Sequence, residues 1–154
     1  MSENSLDDLI TKVVADYNRG DLEAWASNYS PNYIHHNPYQ PDVHNVQTYK
    51  QFQTSLQAAF PGLTLVPDDI VMQGTLASGT VAIRYQLQGT GKGTWRGAEI
   101  TGKAVNFTCV LFIKVADGKL VEGWEIDDYL AYYRQMGLIS IPASASAQPE
   151  AVRG

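Results

Sequence analysis

Two neighbouring carboxylates, Asp127 and Asp128, follow an apolar stretch over 120–126 that reads as a strand. Side chains alternate across a strand. Glu122, Trp124, Ile126 and, if the strand runs on, Asp128 therefore share one face, with Glu125 and Asp127 on the other. Trp124 and Ile126 call for burial, which sets Asp128 beside them in an apolar wall. Desolvation there lifts a carboxyl pKa towards the working pH, as a general base requires. The same pattern is equally open to Asp127 or Asp128 serving only as the cap of the helix that follows. Three histidines, His35, His36 and His44, raise the question of a metal. Adjacent strand residues point to opposite faces, and no Cys, Asp or Glu joins the histidines at ligand spacing, so no metal site is expected. His36 is expected either at a cavity mouth or as a structural histidine. The run Gly89-Thr90-Gly91-Lys92-Gly93-Thr94 joins strand to strand and fits no nucleotide-binding fingerprint; it reads as a flexible hairpin.

These groups need a scaffold, and periodicity supplies one. Leu6, Leu9, Ile10, Val13, Val14 and Tyr17 recur at helical spacing over 5–19, with Ser5 and Asp8 as a capping pair and Gly20 as the stop. Asp21 caps a short second helix carrying Leu22, Trp25, Ala26 and Tyr29. Residues 33–36 read as extended, and Asn37-Pro38 and Gln40-Pro41 force a loop. A third helix is predicted over about 47–60. The period then changes to two. Strands are expected over 63–73 (an edge or bulge, given Pro67), 80–88, 103–115 and 120–126, with a tight turn at Asp117-Gly118. A last short helix spans about 129–136. Helices first and hairpin-linked strands after mean α+β: a curved antiparallel sheet wrapped on three N-terminal helices, enclosing a cone-shaped cavity. Residues 1–139 read as a single domain and 140–154, rich in Ala, Ser and Pro, as a flexible tail.

Composition narrows the function. With 154 residues, 44% hydrophobic and 18% charged, the chain can fill one core without staples. Its net charge of −5 with no basic run argues against nucleic acid and anionic membrane. A single cysteine, Cys109, fits a reducing compartment and inert packing, and no apolar stretch or signal core is present, so a cytoplasmic location is expected. Val110 and Phe112 lie on the second face of the long strand, with Ala82 on its neighbour. An exposed patch there predicts a homodimer through the sheet.

Several short motifs, in order, carry a resemblance: Tyr17-Asn18-Arg19-Gly20-Asp21-Leu22, His36-Asn37-Pro38, Ala59-Phe60-Pro61-Gly62-Leu63, Gly89-Thr90, Thr101-Gly102-Lys103, Asp117-Gly118-Lys119 and Gln135-Met136-Gly137. The chain resembles the SnoaL-like polyketide cyclase (ester cyclase) family of the nuclear transport factor 2-like superfamily. The resemblance implies a cone-shaped α+β barrel and a cofactor-free cyclase or isomerase acting on a largely apolar, polyketide-like intermediate. It implies Asp128, four positions after Trp124, as the general acid/base. The family's hairpin histidine, thought to polarise the substrate carbonyl, is Gly91 here. Tyr85, on the same strand parity, is then expected to supply the lost donor, with His36 or Asn37 as further holders of a developing oxyanion. Trp25, Tyr29, Tyr33, Tyr49, Phe52, Phe107 and Trp124 are the expected substrate-lining side chains. Relatives on such a scaffold also open epoxides, hydrolyse or bind apolar ligands without chemistry, so the fold alone does not choose among these.

Overall fold

The computed structural model describes residues 5–140 and 142. Helix α1 (Leu6–Asn18) starts where Ser5 accepts a hydrogen bond from the Asp8 N–H at 3.1 Å, and α2 (Leu22–Ser27) where Asp21 accepts from Ala24 N–H at 3.0 Å. Buried Asp16 ties the two together, accepting from Lys12 Nζ at 2.7 Å and from Asn28 Nδ2 at 3.0 Å. Strand β1 (Tyr29–His36) leads to α3 (Val46–Ala59), which opens on an Asn45/Thr48 capping box. Then follow β2 (Thr64–Gly74), β3 (Ser78–Thr90), a small hairpin of β4 (Thr94–Trp95) and β5 (Ala98–Glu99), β6 (Ala104–Ala116), β7 (Lys119–Asp127) and α4 (Tyr129–Gln135). Each predicted helix is present, and β2 is an edge strand bulged between Pro67 and Asp69, as its proline requires.

The main sheet runs β1-β7-β6-β3-β2. It is curved but not closed, so the expectation of a barrel is corrected to an open sheet with β1 and β2 at its edges. The stretch read as merely extended is a full strand, and it pairs with β7 in parallel. Val81, Ile83, Tyr85 and Leu87 of β3 and Val105, Phe107, Cys109, Leu111 and Ile113 of β6 turn inward against the helices and are buried. Each such side chain contributes roughly 1.5–3 kcal/mol through burial. The outer face keeps Val71, Val110, Phe112 and Ile126 exposed. No helix among the described residues is long and apolar enough to cross a membrane.

The inner face of β7 differs from the sequence expectation. Its hairpin with β6 begins in regular register, Ala116 opposite Lys119 and Val115 opposite Leu120. The next pair is Lys114 with Glu122, so Val121 is an extra residue. One inserted residue turns every later side chain to the opposite face. Gly123, Glu125 and Asp127 therefore stand opposite the inward-facing Ile113, Leu111 and Cys109, while Trp124 and Ile126 point outward.

Candidate active site

Glu125 is buried at the centre of the inner face. Tyr85 donates to its Oε1 at 2.6 Å and Tyr49 donates to its Oε2 at 3.2 Å. His35, also buried, brings Nε2 to 3.1 Å from the same Oε2, though off the direction of a well-formed ring N–H hydrogen bond. With its proton on Nε2, facing the carboxylate, His35 accepts through Nδ1 from the Tyr33 hydroxyl at 3.0 Å. The Tyr33 hydroxyl needs the missing side chain of Gly123, where a Cβ would stand 2.3 Å from it. Burial pushes the Glu125 pKa up, but His35, Tyr85 and Tyr49 outweigh it and hold the group below the ordinary value. Glu125 is thus a fixed anion.

Asp127 lies two residues further along the same face. Its Oδ2 accepts from Asn37 Nδ2 at 3.0 Å, and its Oδ1 makes no hydrogen bond within the protein. Burial first, and the Glu125 anion second, raise its pKa to about 7, against partial relief from Cys109, Asn37 and Tyr129. The carboxyl borders a narrow cavity of about 20 Å³ walled by Phe52, Leu56, Phe107, Trp95, Tyr129 and Tyr132. A second, mainly apolar space of about 40 Å³ lies deeper, with Trp25, Tyr29, Tyr49 and Tyr85 in its wall; Gln53 and Leu87 border both.

Two elements close the cavity. The β4–β5 hairpin turns at Arg96-Gly97, both at positive φ, and brings Trp95 over the mouth. Arg96 donates to the Tyr133 hydroxyl and to Gln40 Oε1, each at 3.0 Å, tying the hairpin to α4 and to the loop after β1. Helix α4 is fastened to β6 by Gln135, which accepts from Asn106 N–H at 2.7 Å and donates to its carbonyl at 2.8 Å. That sets Tyr132 against Phe107 at 4.8 Å.

The expected site residues distribute unevenly. Asp128 is exposed and caps α4, its Oδ1 accepting from Ala131 N–H at 2.9 Å; the expected burial of Asp128 beside Trp124 is reversed by the extra residue Val121. His36 lies on the outer face, stacked on Trp124 at 5.0 Å and 3.2 Å from Glu122, so neither His36 nor Trp124 reaches the cavity. The inward histidine is His35. Tyr85 is inward but engaged with Glu125. Trp25, Tyr29 and Tyr49 line the deep space and Phe52 and Phe107 the outer one. Tyr33 supports His35, and Asn37 holds Asp127. The sequence reading missed Glu125, Asp127, Trp95 and Tyr132 as cavity groups and His35 as the buried neighbour of Glu125; Gly123, a strand glycine two residues from Glu125, was the available sign of a close approach on that face.

Comparison with known proteins agrees with this architecture. The model of the SnoaL-like polyketide cyclase family matches residues 7–136. None of the curated proteins compared matches the chain. Among solved structures, AclR from Streptomyces galilaeus, described as a candidate hydroxylase, superposes with a TM-score of 0.76 at 25% identity, covering 87% of this chain and 96% of that one. IdmH from Streptomyces antibioticus, described as a candidate polyketide cyclase, gives 0.74 at 28% identity, with 85% and 97% covered. A protein of Acidithiobacillus ferrooxidans at 24% identity shares the fold, with a TM-score of 0.74 and coverage of 91% and 100%. With the family model spanning nearly the whole described fold, the chain belongs to the SnoaL-like polyketide cyclase family.

Proposed function

We propose that the chain is a cofactor-free cyclase or isomerase of a largely apolar, polyketide-like carbonyl compound, with Asp127 rather than Asp128 as the proton-transfer group. The observation that carries this reading is Asp127 itself: a half-buried carboxyl with a pKa raised to about 7, whose buried Oδ1 has no hydrogen-bond partner within the protein. Asp127 takes a proton from the carbon next to a carbonyl, and the C–H electron pair passes to the carbonyl oxygen as an enolate. In ring closure the enolate carbon attacks a second carbonyl of the same molecule, and Asp127 returns its proton to the new alkoxide. In isomerisation the proton returns to a different carbon. Glu125, held anionic by Tyr85, Tyr49 and His35, keeps Asp127 basic; Asn37 fixes its orientation. The description of IdmH as a candidate polyketide cyclase points the same way.

The test is Asp127→Asn, assayed by mass spectrometry for cyclisation and for solvent-deuterium uptake across a panel of polyketide-like β-keto esters. Exchange should fall by roughly 10²–10⁴, while Asp128→Asn keeps it. Undiminished exchange in Asp127→Asn refutes the base. A second reading, ligand binding without chemistry, is favoured by Gly91 in the place of the family's hairpin histidine. It requires that no panel compound exchange faster than in buffer. We further propose that the exposed outer face of Val110, Phe112 and Ile126 is covered by a second copy of the chain.

A further inference from the structure

Four buried side-chain polar atoms among the described residues make no hydrogen bond within the protein. One, His35 Nε2, faces Glu125. The other three, Trp95 Nε1, Tyr132 Oη and Asp127 Oδ1, belong to side chains that wall one cavity. Leaving a buried polar atom unpaired costs about 1–3 kcal/mol, so such atoms are rare and a cluster of them calls for a partner. The three have different chemistry. An indole N–H can only donate, a carboxylate oxygen accepts, and a phenol hydroxyl does both. Burial raises the Tyr132 pKa well above the ordinary phenol value, so it stays a donor. Trp95 N–H lies close enough to the Tyr132 hydroxyl to act on it as a donor, but not in the geometry of a well-formed hydrogen bond, so the two donors stand side by side with neither satisfied.

We propose that Trp95 N–H and the Tyr132 hydroxyl form the oxyanion-binding pair of this cavity, and that the ligand class it takes carries a carbonyl or enolic oxygen between them with an acidic C–H turned to Asp127. The proposal rests on the reading of Asp127 as the base. In the proton transfer above, negative charge appears on the carbonyl oxygen as Asp127 gains its proton, and two preset donors in a water-poor wall are where such charge is best met. The charged groups around the pair are Arg96, whose guanidinium lies 5.7 Å over the Trp95 ring, and the carboxylates of Asp127 and Glu125. Arg96 favours an anion here, Asp127 loses its charge in the same step, and Glu125 keeps its charge, offset by His35, Tyr85 and Tyr49. Gly91 explains why the donors come from the hairpin tip and α4. A Cβ at Gly91 would stand 2.3 Å from the Ile100 carbonyl oxygen and 2.9 Å from its Cβ, and Gly91 is bonded through both N–H and C=O to Lys103 and Gly102. The hairpin base is too tight for a histidine, and the tip folds inward instead.

The probe is 4-nitrophenol, whose phenolate mimics an enolate oxygen and absorbs differently from the phenol. It is titrated into the Asp127→Asn protein, in which the base carries no charge, with 4-nitrotoluene, which shares the nitro group and lacks the phenolic oxygen, as the control of the same shape. Phenolate binding is expected, and adding either Tyr132→Phe or Trp95→Phe should weaken it roughly ten-fold or more, as for a hydrogen bond to a charged group, while 4-nitrotoluene changes by less than about two-fold. Tyr132→Phe removes only an unpaired hydroxyl, so its melting temperature should not fall; it carries the test if Trp95→Phe fails to fold. Unchanged phenolate affinity in Tyr132→Phe overturns the pair. So does an equal loss for 4-nitrotoluene, or no phenolate binding by folded protein. Full turnover in Asp127→Asn would remove the base and leave this binding result standing, so the two readings fail separately.

Discussion

Asp127→Asn should make the protein more stable at neutral and alkaline pH, and the size of the gain follows from the site. In the unfolded chain Asp127 titrates near 3.8; in the folded chain burial and Glu125 lift it to about 7. The folded state therefore binds more protons than the unfolded state between these values, and stability from this group falls as pH rises. The contribution is fully present below about pH 4 and lost through about pH 7. At 1.36 kcal/mol per pH unit the full loss is about 4 kcal/mol, an upper limit. Asparagine keeps the shape and can still accept from Asn37, but carries no charge to bury. Urea unfolding of parent and variant at several pH values should give similar stabilities near about pH 4 and a gap in the variant's favour of ~2–4 kcal/mol by about pH 8. Groups that do not interact with Asp127 cancel in the difference; Glu125, coupled to it, does not, and the upper limit above includes that coupling. A gap that is flat with pH, or of opposite sign, would refute the buried, high-pKa carboxyl and with it the basis of the proton-transfer proposal.

Two further outcomes follow from neighbouring features. Glu125→Gln removes an anion about 7 Å along the strand from Asp127, so the acid limb of the kcat/KM profile should move down by about one to two pH units; burial keeps it above the ordinary carboxylate range, and an upward move contradicts the charge coupling. Phe112→Asp puts a charge into the exposed outer face without touching the cavity, so sedimentation at micromolar concentration should show the parent as a dimer and the variant as a monomer, whereas a monomeric parent removes the proposed interface.

The inward faces of β3 and β6 were legible because both strands alternate without interruption from end to end. The helix starts were legible because Ser5, Asp21 and Asn45 satisfy N–H groups locally. The face of β7 was not. Counting across the two-residue turn at Asp117-Gly118 in regular register sets Trp124 opposite Leu111 and Ile126 opposite Cys109, the arrangement that hydrophobicity alone favours. Only the extra residue Val121 reverses it, and nothing in the types around Val121 marks a bulge. The error at Asp128 and the omission of Asp127 have that one cause. His35 and His36 were exchanged for a related reason: which of two adjacent strand residues faces inward depends on the pairing of β1 with β7, a long-range contact. Trp95 and Tyr132 meet only because a hairpin tip and a C-terminal helix close over the same mouth, which no local pattern encodes.

The bulge also bears on how such a scaffold changes over generations. Loss of the single codon for Val121 would restore the regular register with β6 and turn β7 over as a unit. Trp124 and Ile126 would then face the core, Glu125 and Asp127 the solvent. The inherited chain would trade a charged inner wall for an apolar one, so the deletion favours burial even as it removes the carboxylates. A lineage of this protein is therefore one codon away from an inner wall without either carboxylate, and the return path is an insertion of equal size.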